Sequence, residues 1–221
     1  MAKDEPTLHD LLKAIKSKNP IVWKAFREYK YIEGTIDQTF RGFSNKNACV
    51  PNCFSAAIIM KYFLDPKDLN NEVMFQILKC GSFIKGITIK HLQENVSRDY
   101  ETGSFISTSL LIRKVSAFGR QFELETNDLN GEGDLWQWKG GDVLHSKNKS
   151  APNLKEALEE LFLESGIIFD GVVVIIGVVA RLLFCRDSKY YVWEPHGWED
   201  GPTHRYATLF ETESLFEAYE L

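Results

Sequence analysis

The chain has 221 residues, 44% of them hydrophobic and 26% charged, a balance that fits one large or two small folded domains and excludes a disordered chain. Its 26 basic and 31 acidic residues leave a net charge of −5, the wrong sign for a protein that must displace counterions from nucleic-acid phosphates. The longest apolar run, Gly171 to Ala180, falls well short of the roughly 20 residues of a membrane span, and the polar opening Met1-Ala2-Lys3-Asp4-Glu5-Pro6 has no signal-peptide core.

In chain order, Thr7 is a helix N-cap ahead of Leu8, Leu11, Leu12 and Ile15 at helical spacing. A second short helix is expected from Ile21 to about Tyr29. Cys53 to Leu64 is apolar all round, the pattern of a helix buried in the core, and Pro51 just ahead of it suits a first helical turn. Leu69 to Leu78 and Ile87 to Val96 read as two further helices, and Ser104 to Ile112 as a strand. From Glu123 to Asp134 five acids stand without a base, with a turn signal at Asn130-Gly131. Gly140-Gly141 to Pro152 reads as a polar loop and Leu154 to Leu163 as an amphipathic helix. Val172 to Ile176, Ala180 to Cys185 and Tyr190 to Trp193 then follow as strands, the last two joined by a tight hairpin at Asp187-Ser188. Helices first and adjacent antiparallel strands afterwards, with no repeat and no Pro/Gly/Ser linker, indicate an α+β domain with one core.

Four cysteines (Cys49, Cys53, Cys80, Cys185) are too few and too scattered for a disulfide scaffold, so the chain reads as intracellular with free thiols. Cys49 stands where a polar loop meets the apolar helix. A thiol at a helix N-terminus meets unpaired N–H groups and the positive end of the macrodipole, which favour thiolate; the competing reading is a small buried hydrophobe. Cys53, Cys80 and Cys185 read as core, and a zinc set of Cys49, Cys53 and His196 lacks the second ligand pair such sites use. Glu194-Pro195-His196 ends the last strand. Residues i and i+2 of a strand share a face, so the carboxylate can orient the imidazole as in hydrolase triads, or the histidine is simply salt-bridged at the surface. His9, His91, His145 and His204 have no such partner. Gln38, eleven residues before Cys49, carries an amide able to donate to an oxyanion beside the nucleophile's own N–H.

A Gln, then a Cys at the head of a central helix, then a His on a distant strand is the order of papain-like cysteine proteases. Gly34-Thr35-Ile36-Asp37-Gln38 and Asn47-Ala48-Cys49-Val50-Pro51-Asn52 resemble the opening motif of the herpesvirus large tegument protein deubiquitinases. Tyr190-Tyr191-Val192-Trp193-Glu194-Pro195-His196-Gly197 resembles that family's D-x-H-G box on its strand, with Glu194 where the family usually has Asp. Ala207-Thr208-Leu209-Phe210 and Leu215 to Tyr219 resemble the strand and short helix after the box. Ser104 to Pro152 is poorly matched, and divergent, stand-alone relatives of the family, bacterial ones included, are the better fit.

The resemblance implies a papain-like α+β fold, with a helical half that carries the nucleophile packed on a mostly antiparallel sheet that carries the histidine. It implies a catalytic domain over 34–221 preceded by a helical extension over 1–33. It further implies a deubiquitinase with Cys49 as nucleophile, His196 as general base and acid, Glu194 as its orienter and Gln38 in the oxyanion hole, acting on ubiquitin or ubiquitin chains without metal or cofactor. Trp198 and Gly197 are the candidates for lining the channel that admits ubiquitin's terminal glycines, and the acidic segment is a candidate contact for its basic tail, or a solvated charged loop. Trp136 and Trp193 read as packing. The expected protein is a monomer of the cytoplasm (the host's, for an effector) that binds neither nucleic acid nor membrane. Two alternatives stand beside this: a ubiquitin-binding pseudoenzyme, and a cysteine peptidase or esterase for another modifier or for a ubiquitin ester.

Overall fold

Thr7 does cap the first helix: its hydroxyl accepts from the Asp10 backbone N–H at 3.1 Å at the head of α1 (Leu8–Ile15). This computed structural model describes residues 5–17, 22–26, 29–39, 47–123, 158–164, 171–176, 179–196 and 206–220. Of the helix expected from Ile21 to Tyr29, residues 21, 27 and 28 lie outside the described residues; Lys24–Phe26 is instead a strand, β1, paired antiparallel with β2 (Tyr29–Glu33). Tertiary pairing overrides the local pattern here, because β2 also pairs along its length with β8 (Thr208–Thr212).

The all-round apolar segment forms α2 (Cys49–Tyr62), with ten of its 14 residues buried. Pro51 sits in its first turn, where the missing N–H has no intrahelical partner to lose. Asp65 caps a single 3₁₀ turn at Pro66–Asp68. The two helices expected next are one, α3 (Asn71–Asn95), 25 residues long and capped by Asn70, whose Oδ1 accepts from the Val73 N–H. Ser55 ties α2 to α3 by donating to the Ile77 carbonyl at 2.8 Å. At the other end of α2, Arg186 donates to the Met60 and Leu64 carbonyls, a cation where the helix leaves its carbonyls unpaired.

No strand forms over Ser104 to Ile112. That stretch is turns, held by Leu110 and Leu111 N–H bonds to the Ser107 and Thr108 carbonyls, and a separate hairpin follows, β3 (Lys114–Ala117) with β4 (Arg120–Glu123). Of the helix expected over Leu154 to Leu163, residues 154–157 lie outside the described region. The rest is helical, passing into π-type geometry at Glu160–Glu164, with Leu158 buried. All but one residue of the acidic segment and the polar loop after it also lie outside the described region.

The C-terminal strands form as expected: β5 (Val172–Ile176), β6 (Val179–Arg186) and β7 (Lys189–Glu194). Asp187 and Ser188 both have positive φ, 50° and 61°, as a two-residue primed hairpin turn requires. A final helix, α4 (Leu215–Glu220), closes the chain. The sheet is antiparallel at every pairing, in the order β1-β2-β8-β7-β6-β5. Its two faces alternate along each strand: Ile32, Leu182, Phe184, Tyr191, Trp193 and Leu209 join α2 and α3 in the main core. Tyr29, Tyr31, Leu183, Val192 and Phe210 pack with Leu215 and Ala218 on the other face. A helical half on an antiparallel sheet is thus the architecture, and α2 lies between α3 and β6. No helix among the described residues is long and apolar enough to cross a membrane.

Candidate active site

Cys49 is the first residue of α2, fully buried, and Ala48 before it offers no side chain to cap the helix. The first-turn N–H groups therefore keep their donor capacity at the point where a thiolate or an oxyanion would stand. The turn ahead is pinned at Asn47, which takes φ of 62°. Its side chain donates to the Gly103 carbonyl at 3.0 Å, and its own carbonyl accepts from Lys85 Nζ at 3.2 Å. Lys85 comes from α3 and is fully buried. Burial lowers its pKa from 10.5 to about 8, partly opposed by attraction to the Cys49 side chain.

At the far end of the sheet, Glu194 is the last residue of β7 and 2% exposed. Its Oε1 accepts from the His196 backbone N–H at 2.8 Å and meets His196 Nδ1 at 2.7 Å. Its Oε2 accepts from Arg181 Nε at 2.5 Å. Arg181 lies one step along the β6–β7 ladder beyond the Leu182–Trp193 pair, so register delivers the guanidinium to the carboxylate. Burial pushes the Glu194 carboxyl up, but His196 and Arg181 outweigh it and hold the group below its ordinary value.

The His196 ring is also hydrogen-bonded to the Cys49 side chain, so two residues 147 positions apart in the sequence meet in one site. Burial would lower its pKa; the bonds to Cys49 and Glu194 and the electrostatic attraction of both raise it from 6.5 to about 9. Cys53, one helical turn on and fully buried, goes the other way. Desolvation, with Cys49 and Glu194 nearby, lifts its thiol well above the ordinary value and leaves it protonated.

Gln38 reaches the same place from the segment after β2. Its backbone N–H donates to the Pro195 carbonyl at 3.1 Å, and its buried Oε1 faces Asn52 Nδ2 at 3.4 Å. The structure thus brings Cys49, His196, Glu194 and Gln38 together. Gly197, Trp198 and Trp136 lie outside the described residues. Trp193 and Cys80 are core as expected, but Cys185 is exposed, because its place on β6 puts it on the pleat opposite the packed Phe184. No group of three metal-ligating side chains occurs among the described residues.

Sequence reasoning missed Arg181, Lys85 and Asn52. Arg181 and Asn52 are each a polar residue within a largely apolar element, a signal that could have marked them, whereas Lys85 is one of three lysines in α3 and nothing local marks it.

No protein-family model matches the chain, and no curated protein matches its sequence. Among solved structures, the chain is similar to the ubiquitin-specific protease encoded by a tegument protein of murine cytomegalovirus, solved in complex with a ubiquitin-based suicide substrate. The two share 15% identity at a TM-score of 0.62, over 86% of this chain and 77% of that one. At that identity the likeness establishes the fold alone, a papain-like helical half packed on an antiparallel sheet.

Proposed function

We propose that this protein is a deubiquitinase, a thiol hydrolase for the bond that follows the C-terminal glycine of ubiquitin. The observation that carries the reading is the His196 ring bonded on one side to Glu194 and on the other to Cys49, at the head of a buried helix. The likeness in fold to a viral ubiquitin-specific protease supports ubiquitin as the substrate.

With Nδ1 bound to the carboxylate, Nε2 is the nitrogen left to serve the thiol. Cys49 gives its proton to His196 and its sulfur attacks the glycine carbonyl carbon. The oxyanion that forms is met by the Cys49 N–H and the Gln38 amide. As the C–N bond breaks, His196 protonates the leaving amine, and a thioester to Cys49 remains. His196 then takes a proton from water, whose oxygen attacks the thioester. Ubiquitin leaves with a free carboxylate and Cys49 regains its proton. Glu194 keeps the imidazole in the tautomer that can do this, and Arg181 keeps Glu194 charged. We place this activity in the cytoplasm, one compartment in which ubiquitin conjugates are found.

The test is cleavage of a panel of di-ubiquitins and of a fluorogenic ubiquitin amide. The wild type is expected to cleave, and Cys49→Ala and His196→Ala to show no turnover. Cleavage that survives both substitutions would overturn the assignment.

A further inference from the structure

Asn52 stands one turn after Cys49 on α2, 1% exposed, with its backbone N–H bonded to the Ala48 carbonyl at 2.9 Å. Its side chain is wedged between two elements. On one side is α3 at Gly81, where a Cβ would lie 2.0 Å from Asn52 Oδ1 and 2.8 Å from its Cα. Only glycine at residue 81 lets α3 approach that closely. On the other side, Nδ2 donates to Gln38 Oε1 at 3.4 Å. Asn52 Oδ1, pressed toward Gly81, is buried with no hydrogen-bond partner among the described residues.

An unpartnered buried carbonyl is costly, so a core that keeps one has a reason for the orientation. A carboxamide has a donor end and an acceptor end, and the one toward Asn52 decides the one left over. With Oε1 committed to Asn52, Gln38 Nε2 is left uncommitted among the described residues. An oxyanion can accept from that end and not from the other.

We infer that Asn52 is a positioning residue: held against Gly81, it fixes the Gln38 amide with its N–H₂ turned to the developing oxyanion. This rests on the deubiquitinase reading and adds the group that makes Gln38 competent. The isosteric Asn52→Asp reverses the polarity of the contact. A carboxylate only accepts, so it draws Gln38 N–H₂ to itself and turns the carbonyl oxygen toward the oxyanion.

The experiment is a double-mutant cycle between Asn52→Asp and Gln38→Ala on the fluorogenic ubiquitin amide, with melting temperatures alongside. Asn52→Asp is expected to lower kcat about 10²-fold, the scale of losing one oxyanion donor, at a KM within about twofold of wild type. Gln38→Ala is expected to lower it as much, and the double variant no further. Where Asn52→Asp does not fold, Asn52→Leu, which has no donor, carries the same cycle, with a loss of about tenfold expected and again none added by Gln38→Ala. Losses that add in the cycle, or wild-type kcat in the Asn52 variants, overturn the inference while leaving the deubiquitinase reading intact. A wild type inactive on every ubiquitin substrate overturns both.

Discussion

Glu194 holds His196 twice with one oxygen: Oε1 takes the backbone N–H at 2.8 Å and meets the ring Nδ1 at 2.7 Å. That double grip sets ring position and tautomer together, since the carboxylate folds back over Pro195 to the residue two places on. The remaining oxygen is occupied by Arg181, so the buried carboxylate is satisfied on both sides.

The length of the Glu194 side chain therefore matters. Glu194→Asp, one methylene shorter, cannot keep both His196 contacts and Arg181, and kcat is expected to fall about tenfold. Glu194→Ala is expected to cost about 10²- to 10⁴-fold, still less than His196→Ala, because losing the orienter leaves a base in place. Steady-state kinetics on the ubiquitin amide check the order, and a Glu194→Ala rate equal to wild type would contradict it.

Stability should carry the imprint of His196. Its pKa is about 9 in the folded protein against 6.5 ordinarily, so the folded state binds this proton more tightly than the unfolded chain. The stabilisation is full below about pH 6.5 and is lost as pH rises through about 9. Lys85 has the opposite sign: its pKa is lowered from 10.5 to about 8, so its contribution recovers as pH rises from about 8 towards 10.5. The wild type minus His196→Gln difference in melting temperature isolates the first effect. It is expected to shrink steadily between about pH 6.5 and 9, and a difference that stays constant across that window would refute the linkage.

The C-terminal strands were legible because their apolar, β-branched runs are local signals and the two-residue Asp187-Ser188 turn admits one topology. What sequence left hidden was made by distant contacts. Tyr29–Glu33 is a strand because β8 pairs with it, and Lys24–Phe26 is one because it pairs with β2 in turn. Leu69 to Leu78 and Ile87 to Val96 read as two helices, yet α3 runs unbroken through Gly81 and Gly86, and at Gly81 the absent Cβ is what lets α2 pack. Short β3 and β4 carry too little pattern to be seen beside the apolar Ser104–Ile112 stretch. In the site, residue type and spacing offer Cys49, Gln38 and the Glu194–His196 pair only as candidates beside structural readings, and the family resemblance is what joins them into one set. Arg181 needs the β6–β7 register, and Lys85 and Asn52 need the α2–α3 packing, neither of which spacing encodes.

Lys85 offers a separation of activity from stability. Its ammonium binds the Asn47 carbonyl and faces the Cys49 side chain from a fully buried position. Replacing a buried charge by an apolar side chain of similar length is often close to neutral for folding. Lys85→Met is thus expected to change stability by no more than about 1 kcal/mol, while kcat/KM falls about tenfold as the nucleophile's turn loses its anchor and its positive neighbour. Chemical denaturation and kinetics on the same preparation check it; undiminished kcat/KM would contradict the role.

The most direct measurement is covalent capture by a ubiquitin whose C-terminus carries an electrophile, with the adduct mapped by mass spectrometry. A single adduct on the peptide containing Cys49, absent in Cys49→Ala and strongly slowed in His196→Ala, is the predicted result. An adduct on Cys53 or Cys185, or tight binding of ubiquitin with no adduct at all, would contradict the claim that Cys49 and His196 form a working catalytic pair.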